Sequence, residues 1–266
     1  MRKTVVFQDK NIVYELTGKG PALLLLHGFL ESRAIWNDFT RTLQEEFKVI
    51  AIDLPGHGES DLLSEIHSMD LMASAVKAVL LAEQIEKVVV AGHSMGGYVA
   101  LQFAADNKEM LSGLVLFHSH AGADNDAARE NRRRTIEIVK QNRGGFIKQF
   151  IPELFDQEHV AGYAIAIRKL QDQADLLSPE AIIAALSGMR QRPDQSSYLL
   201  STETPVLFIL GKQDSRMPFN QLLVQVVMPS HSEMLLLDHV GHMGFIEAPY
   251  KTLPALKHFA LRCFEK

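Results

Sequence analysis

The sequence predicts one α/β core, built on a mostly parallel sheet flanked by helices, with an all-helical block inserted into it. Short continuous apolar runs such as Ala22–Leu26 are typical of strands buried on both faces of a parallel sheet. Segments with apolar residues at helical spacing separate these runs, which favours right-handed βαβ crossovers. The strand pattern stops between about residues 122 and 192 and resumes after Pro205.

Eight segments have the pattern of strands. The first two flank the turn-like sequence Asp9-Lys10-Asn11 and are predicted to form a hairpin. The other six are short apolar runs of the length expected for buried strands. In chain order, the predicted strands are residues 5–7, 12–16, 22–26, 49–52, 88–91, 114–117, 206–210 and 234–237.

Helical periodicity marks the segments between the strands, and Ser32 is the predicted N-cap of the first helix. The predicted helices of the core are residues 32–47, 69–85 and 95–107. Those of the inserted block are residues 125–141, 145–155, 158–173 and 179–189. We therefore expect residues 1–121 and 193–266 to form the α/β core, and residues 122–192 to form a helical cap, or lid, inserted into it.

Composition excludes several classes of protein. The 266 residues carry a net charge of −5, so there is no electrostatic reason to expect a nucleic-acid partner. Cys263 is the one cysteine, so no internal disulfide can form, which favours a reducing compartment. No apolar run approaches the roughly 18 residues needed to span a bilayer. We expect a soluble cytoplasmic protein with no membrane or nucleic-acid partner. The sequence makes no prediction about its oligomeric state.

The pattern G-x-S-x-G occurs at Gly92-His-Ser94-Met-Gly96, between a predicted strand and a predicted helix. In a nucleophile elbow, a sharp strand-to-helix turn strains the backbone at the serine, and side chains at the flanking glycines would collide. The turn raises the hydroxyl above the sheet edge and directs the N-terminus of the next helix toward the reaction centre. Ser94 is therefore the candidate nucleophile.

Five motifs in order make the chain resemble the α/β-hydrolase family over nearly its whole length. They are Leu25-Leu-His27-Gly28-Phe29, Asp53-Leu-Pro-Gly56-His57-Gly58-Glu-Ser60, Gly92-His-Ser-Met-Gly-Gly97, Leu210-Gly-Lys-Gln-Asp214 and Gly241-His242. The resemblance implies an eight-stranded α/β-hydrolase fold with a helical cap after the sixth strand. It also implies that Asp214 is the catalytic acid. Members with an aspartate nucleophile cleave epoxides or carbon–halogen bonds, and Ser94 argues against both activities.

A serine needs a neighbouring base, and the base needs a carboxylate that orients it. His242 is the predicted base because it follows the last predicted strand in a glycine-flanked loop, and His239 is its nearest rival. Asp238, Asp124 and Asp126 are the rivals of Asp214. His27, His57 and His93 are predicted to shape loops. Four other histidines are predicted to face solvent: His67, His159, His231 and His258.

The oxyanion of an acyl-transfer reaction needs two donors, and the backbone N–H groups of Phe29 and Met95 are the candidates. Six side chains near the motifs are predicted to line an apolar, adaptable substrate pocket: His27, Phe117, His118, His120, Met217 and Met243. The pair His118 and His120 lacks companions with metal-ligand spacing, so no metal site is predicted.

The sequence contains neither a phosphate-binding P-loop nor a dinucleotide fingerprint, and no cofactor is predicted. We expect a serine hydrolase that cleaves a small carboxylic ester or lactone through an acyl-enzyme on Ser94. One alternative is a C–C bond hydrolase or lyase-like enzyme, with Arg132–Arg134 in the basic run anchoring an anionic substrate. The favoured interpretation of that run is a solvated face of the cap. A second alternative is a ligand-binding receptor on the same fold.

Overall fold

The computed structural model describes residues 1–265, and these contain one eight-stranded sheet. Its strands are β1 (Arg2–Phe7), β2 (Lys10–Thr17), β3 (Ala22–Leu26), β4 (Lys48–Ile52), β5 (Val88–His93), β6 (Leu111–Phe117), β7 (Val206–Gly211) and β8 (Ser232–Leu237). Their order across the sheet is β1-β2-β4-β3-β5-β6-β7-β8. β2 pairs antiparallel with both β1 and β4, and every other pairing is parallel. The fold class and all eight predicted strands are confirmed.

Ten α-helices accompany the sheet within residues 1–265. They are α1 (Asn37–Leu43), α2 (Met69–Ala82), α3 (Met95–Asp106), α4 (Asp126–Phe150), α5 (Ala164–Ala174), α6 (Pro179–Gln191), α7 (Ser196–Ser201), α8 (Phe219–Val226), α9 (Gly244–Glu247) and α10 (Pro249–Phe264). The prediction missed α7 to α10. None of these helices is both long enough and apolar enough to cross a bilayer.

The central strands determine where a site can form. Every residue of β3, β5 and β7 is buried, as their continuous apolar sequences predict. Because β3 and β5 to β8 run parallel, their carboxyl ends meet at one edge of the sheet. Ligands of open α/β sheets bind at that edge. The loops that follow these strands carry Gly28, Ser94, His118, Asp214 and His242.

The segment between β6 and β7 contains no strand and holds α4 to α7. We call residues 122–192 of this segment, which contain α4, α5 and α6, the helical insert. α4 runs through both of the first two helices predicted for this block, with a kink at Asn142, where φ is −153° and ψ is 71°. The insert packs its α4 against α6. The predicted boundaries of the lid, residues 122 and 192, remain predictions.

Two local predictions are wrong. The predicted helix at residues 32–47 is a short 3₁₀ turn, Arg33–Trp36, followed by α1 and a further turn. Ser32 does cap the 3₁₀ turn, since its side chain accepts from the N–H of Ala34. His67 does not face solvent: it is fully buried, and its N–H donates to the carbonyl oxygen of Ala184 in α6 at 3.0 Å. His67 thus joins the core to the helical insert.

Candidate active site

Ser94 lies on a tight turn between β5 and α3. Its backbone has a φ of 51° and a ψ of −115°, which a non-glycine residue rarely adopts. A Cβ on Gly92 would lie 2.2 Å from the carbonyl oxygen of Gly96, and a Cβ on Gly96 would lie 2.6 Å from that of His27. The glycines of the motif therefore have a steric reason, and the turn leaves Ser94 only half-buried.

His242 contacts a buried carboxylate. Its Nδ1 lies 2.8 Å from Oδ2 of Asp214, while Oδ1 of Asp214 accepts from the backbone N–H groups of Arg216 at 2.8 Å and Met217 at 2.9 Å. Burial would raise the pKa of Asp214, but the charge of His242 and hydrogen bonds from His118 and His242 outweigh burial and lower that pKa strongly. Asp214 is therefore an anion that can orient His242 and stabilise its protonated form.

His118 also contacts Asp214, a contact that the sequence did not predict. Its Nδ1 lies 2.9 Å from the same Oδ2 atom. Burial lowers the pKa of His118 to about 4, so the ring is neutral near pH 7 and its Nδ1–H donates to the carboxylate. The position of Gly244 accommodates this ring, because a Cβ there would lie 2.4 Å from Nε2 of His118. Asp214 is thus held by two imidazoles and two backbone donors.

Ser94 and His242 both line a cavity of about 440 Å³ between the sheet edge and the helical insert. Phe29 lines it as well, and its ring lies 5.9 Å from that of Phe150 in the insert. The N–H groups of Phe29 and Met95 donate no backbone hydrogen bond within residues 1–265. Met95 is also the first residue of α3, so its N–H belongs to the unpaired N-terminus of a helix.

A second buried carboxylate–imidazole pair lies in the wall of this cavity, and the sequence did not predict it. Oε2 of Glu31 accepts from the N–H of Gly28 at 2.5 Å and lies 2.9 Å from Nδ1 of His93. Nε2 of His93 lies 2.9 Å from the carbonyl oxygen of His242. Burial would lower the pKa of His93, but the charge of Glu31 and its hydrogen bond outweigh burial and raise it. Both ring nitrogens therefore donate, and His93 connects the loop of Phe29 to that of His242.

The chain is similar to known proteins over most of its length. Residues 21–138 match the family model described as the alpha/beta hydrolase fold. A pimeloyl-[acyl-carrier protein] methyl ester esterase from Aeromonas hydrophila is 30% identical over 94% of this chain and 99% of its own. The chain belongs to the α/β hydrolase fold family. The comparison thus confirms the family that the five motifs predicted.

Solved structures of family members extend the comparison. A thermophilic esterase from Thermogutta terrifontis is 30% identical, with a TM-score of 0.92 over 99% of both chains. The enol-lactonase from Burkholderia xenovorans has a TM-score of 0.88 over 99% of this chain and 100% of its own. Its identity of 15% shows a shared fold alone. The protein is thus a hydrolase of the α/β fold whose relatives include esterases.

The rival acids and base of this hydrolase lie elsewhere. Asp238 is exposed and pairs with Lys212 at 2.6 Å. Asp124 is buried, but its partners are two arginines of the insert. Asp126 and His239 are exposed. None of these side chains has a hydrogen bond to His242 within residues 1–265.

Only two of the six predicted pocket residues, His120 and Met217, line the cavity of this α/β hydrolase. The other four are almost fully buried and are not part of its wall: His27, Phe117, His118 and Met243. His27, for example, accepts a hydrogen bond from the N–H of Leu54 through Nε2 at 2.9 Å. The pocket is also less apolar than predicted, because three arginines and two carboxylates of the described residues line it.

Within residues 1–265, two groups of side chains have donor atoms close enough to hold a metal ion, within 4.8 Å of one another. One consists of His118, Asp214 and His242, where hydrogen bonds to a shared carboxylate account for the proximity. The other consists of Asp156, His159 and His239 near the surface, where His159 already bonds to Asp156 at 2.6 Å. The first group shares Asp214 and His242 with the candidate active site, and neither group includes Ser94.

Proposed function

We propose that this α/β hydrolase is a serine hydrolase that cleaves small carboxylic esters or lactones through an acyl-enzyme on Ser94. One observation carries the proposal: an ionised Asp214 orients His242 at the wall of the cavity that a strained, half-buried Ser94 also lines. We further propose that residues 122–192 act as the lid of this cavity, with His120 and Met217 contacting the substrate.

The proposed reaction has two steps. His242 takes the proton of the Ser94 hydroxyl at Nε2 while Oγ attacks the substrate carbonyl, and the N–H groups of Phe29 and Met95 stabilise the oxyanion. The tetrahedral intermediate then collapses: the C–O bond to the leaving group breaks, and His242 gives its proton to the departing alkoxide. Water repeats the sequence on the acyl-enzyme, releasing the acid and restoring Ser94. Asp214 stabilises the imidazolium in both steps.

The relatives support an ester as the substrate. Two relatives that are 30% identical over nearly their whole length are an esterase and a methyl ester esterase. The enol-lactonase supports the cyclic equivalent through its fold alone. A lactone is an internal ester, so the same attack and collapse would open its ring. The site therefore suits both substrate types with the same five groups.

The test compares p-nitrophenyl butyrate hydrolysis by wild type and Ser94→Ala. We expect turnover to fall by on the order of 10⁴- to 10⁶-fold while circular dichroism stays unchanged. A fluorophosphonate should label the wild type covalently and leave Ser94→Ala unlabelled. Ser64→Ala, at an exposed serine, is the control and should behave as wild type.

Two outcomes would contradict the proposal. Near-normal turnover by Ser94→Ala would show that another group performs the chemistry. Labelling of wild type followed by a single, slow turnover would instead indicate a ligand-binding receptor with an activated serine. A parallel screen of lactones and thioesters on the same pair of proteins would identify which acyl compound turns over fastest.

A further inference from the structure

The cavity beside Ser94 carries an excess of positive charge. Among the described residues, three arginines and two carboxylates line it: Arg132, Arg192, Arg216, Glu31 and Asp124. Glu31 is already paired with the buried His93. Arg216 pairs one-to-one with Glu153, which lies outside the cavity wall, at 2.7 Å. The remaining cluster has two arginines and only one carboxylate.

Arg192 shares the carboxylate of Asp124 with Arg132. Its Nη1 lies 2.5 Å from Oδ1 of Asp124, and both side chains are almost fully buried. Further partners are the carbonyl oxygens of Gly122 and Met189, and the guanidinium stacks on the ring of Tyr98 at 4.0 Å. The guanidinium of Arg192 therefore already has hydrogen-bond partners and an opposite charge within the protein.

Arg132 is left with incomplete bonding. Its Nε lies 2.5 Å from Oδ2 of Asp124, but Nη1 has only the sulfur of Met189, at 3.5 Å, and a thioether is a weak acceptor. Its Nη2 reaches Asp124 only at 3.5 Å. The side chain is 22% exposed and lines the cavity, so its free donors are accessible from there. A half-buried guanidinium with two underused nitrogens favours an anionic ligand with a planar fork of oxygens.

The surroundings of Arg132 offer no second anion. His120 is neutral, because burial and the charge of Arg192 lower its pKa to about 4. Asp194 is exposed and bonds instead to the backbone N–H groups of Ala123 and Ser196. The two arginines that follow Arg132 are exposed and pair with Glu130. The basic run is thus a solvated helix face at two positions and part of the cavity wall at one.

We propose that the cavity selects esters or lactones that carry a second, anionic group, a carboxylate, and that Arg132 binds this carboxylate through Nη1 and Nη2. The selectivity rests on the proposed esterase function. The substrate's carboxylate would supply the charge that the cluster of Arg132, Arg192 and Asp124 lacks. Hydrogen bonds between charged groups in such a shielded position change affinity by about 10- to 100-fold.

The experiment compares matched charged and neutral esters. In the acyl arm, mono-p-nitrophenyl adipate and suberate are compared with p-nitrophenyl hexanoate and octanoate. In the alcohol arm, 4-acetoxybenzoate is compared with phenyl acetate. We expect wild type to prefer the carboxylate-bearing ester in one arm by at least about 10-fold in kcat/KM, and Arg132→Gln to abolish that preference.

Arg133→Gln is the matched control, because Arg133 is next in the chain, exposed and bonded to Glu130. It should retain the full preference. Arg132→Lys keeps the positive charge without the planar guanidinium and should retain part of the preference for the carboxylate-bearing ester. Partial retention would show that the loss in Arg132→Gln is not a folding defect. Lack of preference in both arms for wild type, or full preference in Arg132→Gln, would overturn the proposal. If Arg216→Gln loses the preference and Arg132→Gln retains it, the assignment to Arg132 is wrong.

Failure of the esterase function itself gives a different result. Wild type would then hydrolyse neither the neutral nor the charged esters, or Ser94→Ala would hydrolyse them as well as wild type. Ester hydrolysis that depends on Ser94 but is equally fast with and without a carboxylate on the substrate contradicts only the proposed selectivity. The two proposals therefore fail separately.

Discussion

The cavity has two walls that are built differently. The core wall comprises Ser94, His242 and Phe29 on loops at the sheet edge, and the insert wall comprises Arg132 and Arg192 with their neighbours on helices. Backbone N–H and carbonyl groups hold the polar side chains in and behind the core wall. The charges of the insert wall are held largely by one another. We therefore expect changes in and behind the core wall to alter reaction rate, and changes in the insert wall to alter selectivity.

The largest effect in this comparison should come from Asp214→Asn. It removes the anion that orients His242 and stabilises its imidazolium, so kcat should fall by about 10⁴-fold. Steady-state hydrolysis of p-nitrophenyl butyrate measures it. Asp238→Asn, at the exposed rival acid, is the control and should leave kcat unchanged. A loss of similar size in Asp238→Asn would move the catalytic acid to that residue.

A smaller effect is expected from Glu31→Gln, which changes a positioning residue of the core wall. It removes the charge that raises the pKa of His93, so His93 would lose a proton and one of its two hydrogen bonds. The loops of Gly28 and His242 would loosen, and kcat should fall by about 10- to 100-fold with little change in KM. Glu86→Gln, at an exposed position, is the control.

The pH profile distinguishes this role from simple loss of packing. In wild type the raised pKa of His93 means that its pairing with Glu31 contributes full stability below the unfolded value near 6.5. That contribution is lost as pH rises through the folded pKa. As pH rises, the free energy of unfolding should therefore decrease less in Glu31→Gln than in wild type. An unchanged alkaline profile would mean that Glu31 and His93 do not share a proton in this way.

The difference between the two walls also explains what could be predicted from sequence. Ser94 and His242 occupy loops whose glycines are local requirements, and Asp214 came from the family's motif order. Glu31 and His118 contact partners 62 and 96 residues away, so no local spacing indicates them. Whether a histidine lines a cavity or lies behind it, as His118 does, depends on tertiary packing that periodicity does not report.

Helix predictions failed for related reasons. Gly144 and Gly145 suggested a break, yet α4 continues through them and kinks at Asn142, where the side chain accepts from the N–H of Gly145. α10 continues through Pro254, although a proline lacks the backbone N–H that would donate to the residue four positions earlier. In the insert, periodicity indicated helices but divided α4 in two and began α5 at residue 158 instead of Ala164. It also did not show that Arg132 faces inward while Arg133 faces solvent.

The contact between insert and core can be tested through two helical glycines. A Cβ on Gly188 in α6 would lie 1.7 Å from the carbonyl oxygen of His67, so Gly188→Ala should lower the free energy of unfolding by about 1–3 kcal/mol. Gly144→Ala in α4 meets nothing within 4 Å and should be neutral or slightly stabilising. Urea unfolding measures both. Equal effects at the two positions would contradict a tight insert–core contact at Gly188.

The smallest effect is expected in the pH dependence of stability that His67 contributes at the contact between insert and core. Burial lowers the pKa of His67 to about 4, so between pH 6.5 and 4 the unfolded chain binds one more proton there than the folded protein. The free energy of unfolding should therefore decrease as the pH is lowered through this window, by up to about 1.4 kcal/mol per pH unit from this one imidazole. His67→Gln keeps an acceptor for the N–H of Leu63 and removes the titration. Its unfolding free energy should fall less steeply than that of wild type between pH 6 and 5, while His258→Gln, at an exposed histidine, should match wild type. Equal slopes in wild type and His67→Gln would show that His67 can be protonated in place, and that the junction between insert and core admits water.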